Sequence, residues 1–199
     1  MPDKDHAQPA TAPSGSSVAR GAHVVSVNVN AVHTFSKEPA LEAHLLAGLG
    51  VEGDAHCGTT VRHRFDRRRE PERPNLRQVH LIQADLLEDL ARLGHVVHPG
   101  DLGENVTTSG VDLLALPVGT VLRLGDTAEV RLTGLRTPCK LIDAFQPGLM
   151  RQLWVEHDQG RRARRAGVMS VVLTAGVVRP GDPLTVALPE PPHHALGPV

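Results

Sequence analysis

Apolar residues in this chain fall in short runs, and glycine or proline closes nearly every one of them. The 199 residues include 19 glycines and 16 prolines. Proline lacks an amide N–H and clashes with the preceding helical turn, and glycine loses the most backbone entropy on ordering. Brief elements joined by tight turns are the consequence, and a bundle of long helices is excluded.

The runs themselves read mostly as strands. His23–Ala31 (HVVSVNVNA) alternates, which puts Val25, Val27 and Val29 on one face. Leu76–Gln83 (LRQVHLIQ) places Val79, Leu81 and Gln83 on one face and His80 and Ile82 on the other. Thr120–Leu124 and Ala128–Leu135 flank Gly125-Asp126, a tight hairpin turn. Gly167–Thr174, Val177-Val178 and Leu184–Leu188 complete the set. Three helices are expected. Leu41–Leu49 follows Pro39 and stops at Gly48 and Gly50. Asp85–Leu93 carries a stripe of Leu86, Leu87, Leu90 and Leu93 and stops at Gly94. Pro147–His157 turns Leu149, Met150, Leu153 and Trp154 inward and is closed by Gly160. The mixture predicts a mainly β fold, a compact β-barrel with a few peripheral α-helices.

Residues 1–21 are rich in Ala, Pro, Ser and Thr without apolar period, and read as a disordered N-terminal tail. The Pro- and His-rich residues 189–199 read as a loose C-terminal tail, leaving one domain over 22–188. A formal net charge of −1 gives no general nucleic-acid binder. No apolar run approaches the roughly 20 residues that span a bilayer. Two cysteines are too few for a disulfide framework, and with no signal-peptide core at the N-terminus the expected compartment is the cytoplasm. Aromatic residues make up 2% of the chain, so Val and Leu must fill the core.

The chemistry concentrates between Asp101 and Phe145. This stretch holds Gly103-Glu104-Asn105, the hydroxyl run Thr107, Thr108 and Ser109, the hairpin, and Thr137-Pro138-Cys139-Lys140. Pro138 cannot donate to a ladder, so Cys139 is expected on a rim where a strand has ended. Arg136 and Lys140 flank it with cations that favour a thiolate, although most free cysteines are small buried residues. Upstream, Gly53-Asp54-Ala55-His56-Cys57-Gly58 could hold metal ligands. Adjacent His56 and Cys57 are awkward on one tetrahedral ion, and a turn placing Asp54 or His56 at the rim of a cleft fits better. Arg62–Arg73 and Arg161–Arg165 are basic runs that read as solvated loops or parts of an anion site. No P-loop, dinucleotide fingerprint or nucleophile elbow occurs.

Four stretches, in order, resemble the MOSC family, named for the C-terminal domain of molybdenum-cofactor sulfurases. They are Gly50–His56, Gln78–Ile82, Gly103–Thr108 and Thr137-Pro138-Cys139. The chain looks like a small stand-alone member. The resemblance implies a β-barrel and a molybdopterin-type molybdenum cofactor. It implies that Cys139 ligates molybdenum, as in a molybdenum-dependent oxidoreductase that reduces N-hydroxylated substrates. The alternatives are a sulfur carrier holding a persulfide on Cys139 for metal-sulfur cofactor assembly, and a non-catalytic small-molecule binding module. Around such a cofactor, Arg77, Arg136 and Lys140 are the expected cations, and Asn105, Thr107 and Thr108 the expected polar contacts. The implied partners are a small-molecule substrate and an external electron donor or sulfur donor protein, with no nucleic acid and no membrane.

Overall fold

The computed structural model describes residues 16–17, 21–61, 70–157 and 161–199. Most of the expected N-terminal tail, and Arg62–Arg69 of the first basic run, lie outside them. In chain order the strands are β1 (Ser16–Ser17), β2 (His23–Val29), β3 (Glu38–Ala40), β4 (Ala43–Leu46), β5 (Gly50–Val51) and β6 (Val79–Gln83). Helix α1 (Ala84–Arg92) follows, then β7 (Val106–Ser109), β8 (Val121–Leu124) and β9 (Ala128–Leu135). Two short helices, α2 (Lys140–Phe145) and α3 (Leu149–Gln152), precede β10 (Trp154–His157), β11 (Arg161–Arg164), β12 (Val168–Thr174), β13 (Gly176–Val178) and β14 (Leu184–Ala187).

Nine strands form one sheet in the order β1-β14-β8-β9-β12-β6-β7-β2-β3. Every neighbour pair is antiparallel except β6 and β7, which are parallel and joined through α1. The expected β-barrel is therefore corrected: β1 and β3 end the sheet, and it does not close. Pro39 lies inside β3, and a residue without an N–H suits a strand with a neighbour on one side only. At the other end β1 has two residues, too few to carry a further ladder. Alternating runs and frequent turns are common to a curved open sheet and a barrel, and only edge pairing separates them.

Two smaller sheets, β13-β4-β5 and the hairpin β10-β11, complete the strands. The expected helix over 41–49 is replaced by β4 and β5, which pair Leu45 with Val51 across a short turn. Leu41 is 92% exposed, and Ala43 and Leu45 alternate inward as strand residues. The expected helix over 147–157 stops after one turn. From Trp154 the chain pairs instead with the second arginine run, Trp154 opposite Arg164. In β2 a register shift between Val24 and Ser26 changes the phase, so Val24 and Val27 are buried while Val25 faces out.

The sheet is covered on both faces at β6. Val79 and Leu81 join Leu45, Val106, Leu122, Val130 and Leu184 in one apolar core. Ile82, one residue on, faces the other way, into a second core with Leu86, Leu90, Ile142 and Leu149 from the helices and Leu102 from the turn before β7. No helix among the described residues is long and apolar enough to cross a membrane. Residues 189–199 run back along the body. Ala195 bridges Pro117, Pro198 bridges Leu135, and Leu196 is buried.

Gly167 fixes where β12 enters this frame. Its φ is 92°, and an added Cβ would lie 2.3 Å from the Leu81 carbonyl oxygen and 2.7 Å from Ile82 Cγ1. Gly167→Ala is expected to destabilise the fold by about 2–5 kcal/mol, strain and overpacking together. Chemical denaturation measures it, and a loss no larger than that of an ordinary surface change would show that this entry point can yield.

Candidate functional site

A cavity of about 620 Å³ opens where the loop after β9 meets the segments around Phe35, Asp54 and Asn75. Its lining includes Cys139, Arg136, His56, Lys37, Arg77 and Asn105.

One wall is organised by Asp54. The side chains of Asp54 and Lys37 are 1% and 6% exposed, and the Lys37 ammonium donates to Asp54 Oδ2. The same oxygen accepts from Asn105 Nδ2 at 3.0 Å and from the Asn30 amide at 3.3 Å. Oδ1 accepts from the His56 amide at 2.9 Å and contacts His56 Nδ1 at 3.2 Å. Burial pushes this carboxyl up. The bonds from His56 and the charge and hydrogen bond of Lys37 outweigh it, and Asp54 is held well below the usual carboxylate range. Burial pulls the Lys37 ammonium below its ordinary value, against the opposing pull of Asp54 and Glu104. The His56 ring meets His33 edge-on, with centroids 5.2 Å apart, and both rings line the cavity.

The Gly100–Asn105 turn braces this wall from behind. Gly100 and Gly103 have φ of 93° and 79°, and a Cβ on either would come within 2.5 Å of the Lys37 or Phe35 carbonyl oxygen. Only glycine lets these backbones touch. Glu104 Oε1 accepts from the Gly100 amide at 2.7 Å and from Thr107 Oγ1 at 3.2 Å, while Oε2 is buried without a hydrogen-bond partner. Burial pushes this carboxyl up. Asn105 Oδ1 accepts from the His80 amide at 3.2 Å. The His80 ring bonds the Ala166 carbonyl at 2.8 Å, and burial lowers its basicity well below the usual imidazole range, with Arg136 adding to the effect.

The opposite wall carries the thiol. The Arg136 amide donates to Gly167 O at 3.0 Å, which ties the loop after β9 to the start of β12. The Arg136 guanidinium carbon lies 5.9 Å from the Phe35 ring centroid, and Phe35 packs on Phe145 of α2. Arg136 Nη1 is buried and has no hydrogen-bond partner. Burial and then Arg77 lower the basicity of this guanidinium, while Cys139 and Glu104 oppose the shift, so thiol and guanidinium share one electrostatic neighbourhood. Cys139 is half-buried, directly before α2, and faces the cavity. Cys57 and Cys139 form no disulfide with each other.

The structure separates the residues singled out in the sequence. Cys139, Arg136, Arg77 and Asn105 line the cavity together. Thr107 and Thr108 are buried in β7, with Thr107 bonded to Glu104, and neither lines it. Lys140 is exposed on α2 outside the lining. Arg73 reaches the cavity, but Arg164 covers the Trp154 ring at 5.0 Å and Arg165 pairs with Asp89 at 3.2 Å. Lys37, His33, Phe35 and Asn75 were not foreseen. The rarity of lysine, present only at 4, 37 and 140, was the one available signal for Lys37.

Among the described residues no cluster of three or more His, Cys, Asp or Glu could hold a metal ion. The expectations of molybdenum-ion binding and an oxidoreductase are corrected accordingly: Cys139 is the one thiol among the described lining residues, Asp54 is committed to Lys37, Asn105 and His56, and the His80 ring bonds the Ala166 carbonyl.

The MOSC domain family model matches residues 52–185. Among solved structures, the YuaD protein of Bacillus subtilis superposes with a TM-score of 0.68 at 25% identity, over 85% of this chain and 97% of that one. YiiM of Geobacillus stearothermophilus superposes at 0.56 with 19% identity, over 83% of this chain and 75% of the other. YiiM of Escherichia coli gives 0.56 and 19%, over 85% and 71%. No curated protein matches significantly.

Proposed function

The chain belongs to the MOSC domain family, which is tied to molybdenum-cofactor metabolism, and on that premise we propose that its cavity handles sulfur. Cys139 carries sulfane sulfur as a persulfide and passes it to a metal-sulfur cofactor of the molybdenum type, which is the acceptor and not a resident group. The observation that carries this reading is a half-buried thiol sharing its cavity with a buried guanidinium whose Nη1 has no protein partner.

A persulfide is an anion near neutral pH, and Arg136 and Arg77 stabilise it where water is partly excluded. Val61, Leu76, Leu141 and Met169 supply the apolar part of the lining and limit hydrolysis and stray thiol exchange. A cavity of about 620 Å³ is far larger than one sulfur atom needs and lies within the range of small-molecule sites. That volume admits an acceptor, with Arg136, Arg77 and Arg73 supplying positive charge around it.

Protein purified without reductant and loaded with cysteine persulfide is expected to gain one sulfur atom on Cys139 by intact mass and peptide mapping. Cyanide should release the sulfur as thiocyanate. Protein that never loads, or that carries stoichiometric molybdenum and pterin without any persulfide, would overturn the carrier reading.

A further inference from the structure

A carrier must be charged, and the cation set around Cys139 points to what charges it. Resting on the carrier reading above, we infer that the cavity takes sulfur directly from a small sulfur oxyanion of the thiosulfate class, so that the protein acts as a sulfane-sulfur transferase. Two independent features converge. The first is Arg136, which lines the cavity and whose Nη1 is buried and unpartnered. An orphaned guanidinium N–H is the feature that a compact oxyanion satisfies, since Arg bonds such oxygens in charge-assisted pairs. The second is the lining itself. Arg73 and Arg77 add positive charge, and no Asp or Glu is among the described lining residues; Asp54, which contacts three of them, is consumed by Lys37, Asn105 and His56. A dianion therefore meets cations and no Asp or Glu side chain among the described lining residues.

The chemistry needs no further reagent. The Cys139 thiolate attacks the outer sulfur of thiosulfate, forming a Cys139 Sγ–S bond. The S–S bond of thiosulfate breaks, and sulfite leaves with the bonding electron pair. The cysteine sulfur is oxidised by the amount that the sulfonate sulfur is reduced. Arg136 binds the sulfonate oxygens and stabilises the charge that grows on the departing sulfite. The product is a Cys139 persulfide anion in the same cationic surroundings.

The full chain is incubated with thiosulfate, and sulfite release is read together with the mass of the Cys139 peptide. One sulfite per added sulfur is expected. Arg136→Gln should slow this transfer about tenfold or more, the loss of one charge-assisted contact. Alkylation of the same variant by neutral iodoacetamide reports the thiolate fraction, and the loss in thiosulfate transfer should clearly exceed any loss in alkylation rate. Because Arg136 also packs on Phe35, Arg77→Gln is tested beside it and should show a smaller loss in the same direction. Cysteine persulfide serves as the second donor. Loading from it but not from thiosulfate would overturn this inference and leave the carrier reading standing. Loading from neither would overturn both. Equal thiosulfate rates in wild type and both variants would show that the guanidinium groups do not recognise the donor.

Discussion

Asp54→Asn is expected to lower stability by about 3–5 kcal/mol, the loss that follows when one partner of a buried ion pair is removed. The carboxylate is not a surface ornament. It accepts from Lys37, Asn105, the Asn30 amide and the His56 amide, and it joins its own turn to the 30–37 stretch and to Asn105. Asparagine keeps one acceptor oxygen but turns an NH₂ toward groups that are already donors, and it leaves the Lys37 ammonium buried without a counter-charge. The pH dependence has a definite sign. The folded pKa of Asp54 is depressed, so its stabilising contribution is present above the ordinary carboxyl pKa of about 4 and is lost as pH falls below it. The gap between wild type and Asp54→Asn should be widest above about pH 5 and narrow on acidification. Lys37→Met in the Asp54→Asn background should recover part of the loss, because it removes the stranded charge. Urea unfolding at several pH values decides. A pH-independent gap, or one below about 1 kcal/mol, would mean that the pair is dispensable.

How much of this was legible in the sequence varies with the physics of each element. β9 was readable because Val130 and Leu132 alternate with Arg131 and Thr133 beside a glycine turn. α1 was readable because Leu86, Leu87 and Leu90 repeat at helical spacing before Gly94. The segment over 41–49 misled because Leu and Ala content carries no period over so few residues, and the pairing of Leu45 with Val51 decided the outcome. Trp154 went to a strand for the same reason: a partner at Arg164 is a tertiary fact. Closure of the sheet was not legible at all, because it depends on whether two distant edges meet.

The site divides along the same line. Cys139 was exposed to inference by Pro138 and the cations beside it. Its cavity mates Arg77 and Asn105 lay next to motif stretches, so sequence order sufficed to nominate them. Thr107 and Thr108 were nominated for their hydroxyls, but the parallel pairing of β7 with β6 buries both in the sheet, a consequence of register. Lys37 escaped notice because its role comes from a carboxylate 17 residues away, reached only once β3 and the turn after β5 are in place. The buried, unpartnered Nη1 of Arg136 was beyond reach, since satisfaction of a donor is a property of packing alone.

The largest effect on function is expected from Cys139→Ser. The side chain is half-buried and precedes α2 without making a capping bond, so the fold should lose less than about 1 kcal/mol. Sulfur loading should vanish. A serine hydroxyl is not ionised near neutral pH and cannot hold sulfane sulfur, whereas a thiolate attacks it and retains it. Cys57→Ser is the matched control, because Cys57 is in no disulfide and lies outside the cavity lining. It should load like the wild type. Melting curves come first, since equal melting temperatures make the loading comparison meaningful. Thiocyanate release on cyanide treatment then separates the outcomes. If Cys139→Ser still releases one thiocyanate per chain, the sulfur sits elsewhere and Cys139 is not the centre of the chemistry. If Cys57→Ser alone loses it, the wrong cysteine has been assigned. Loss confined to Cys139→Ser, with the fold intact, ties sulfur transfer to the thiol that the loop after β9 presents between Arg136 and α2.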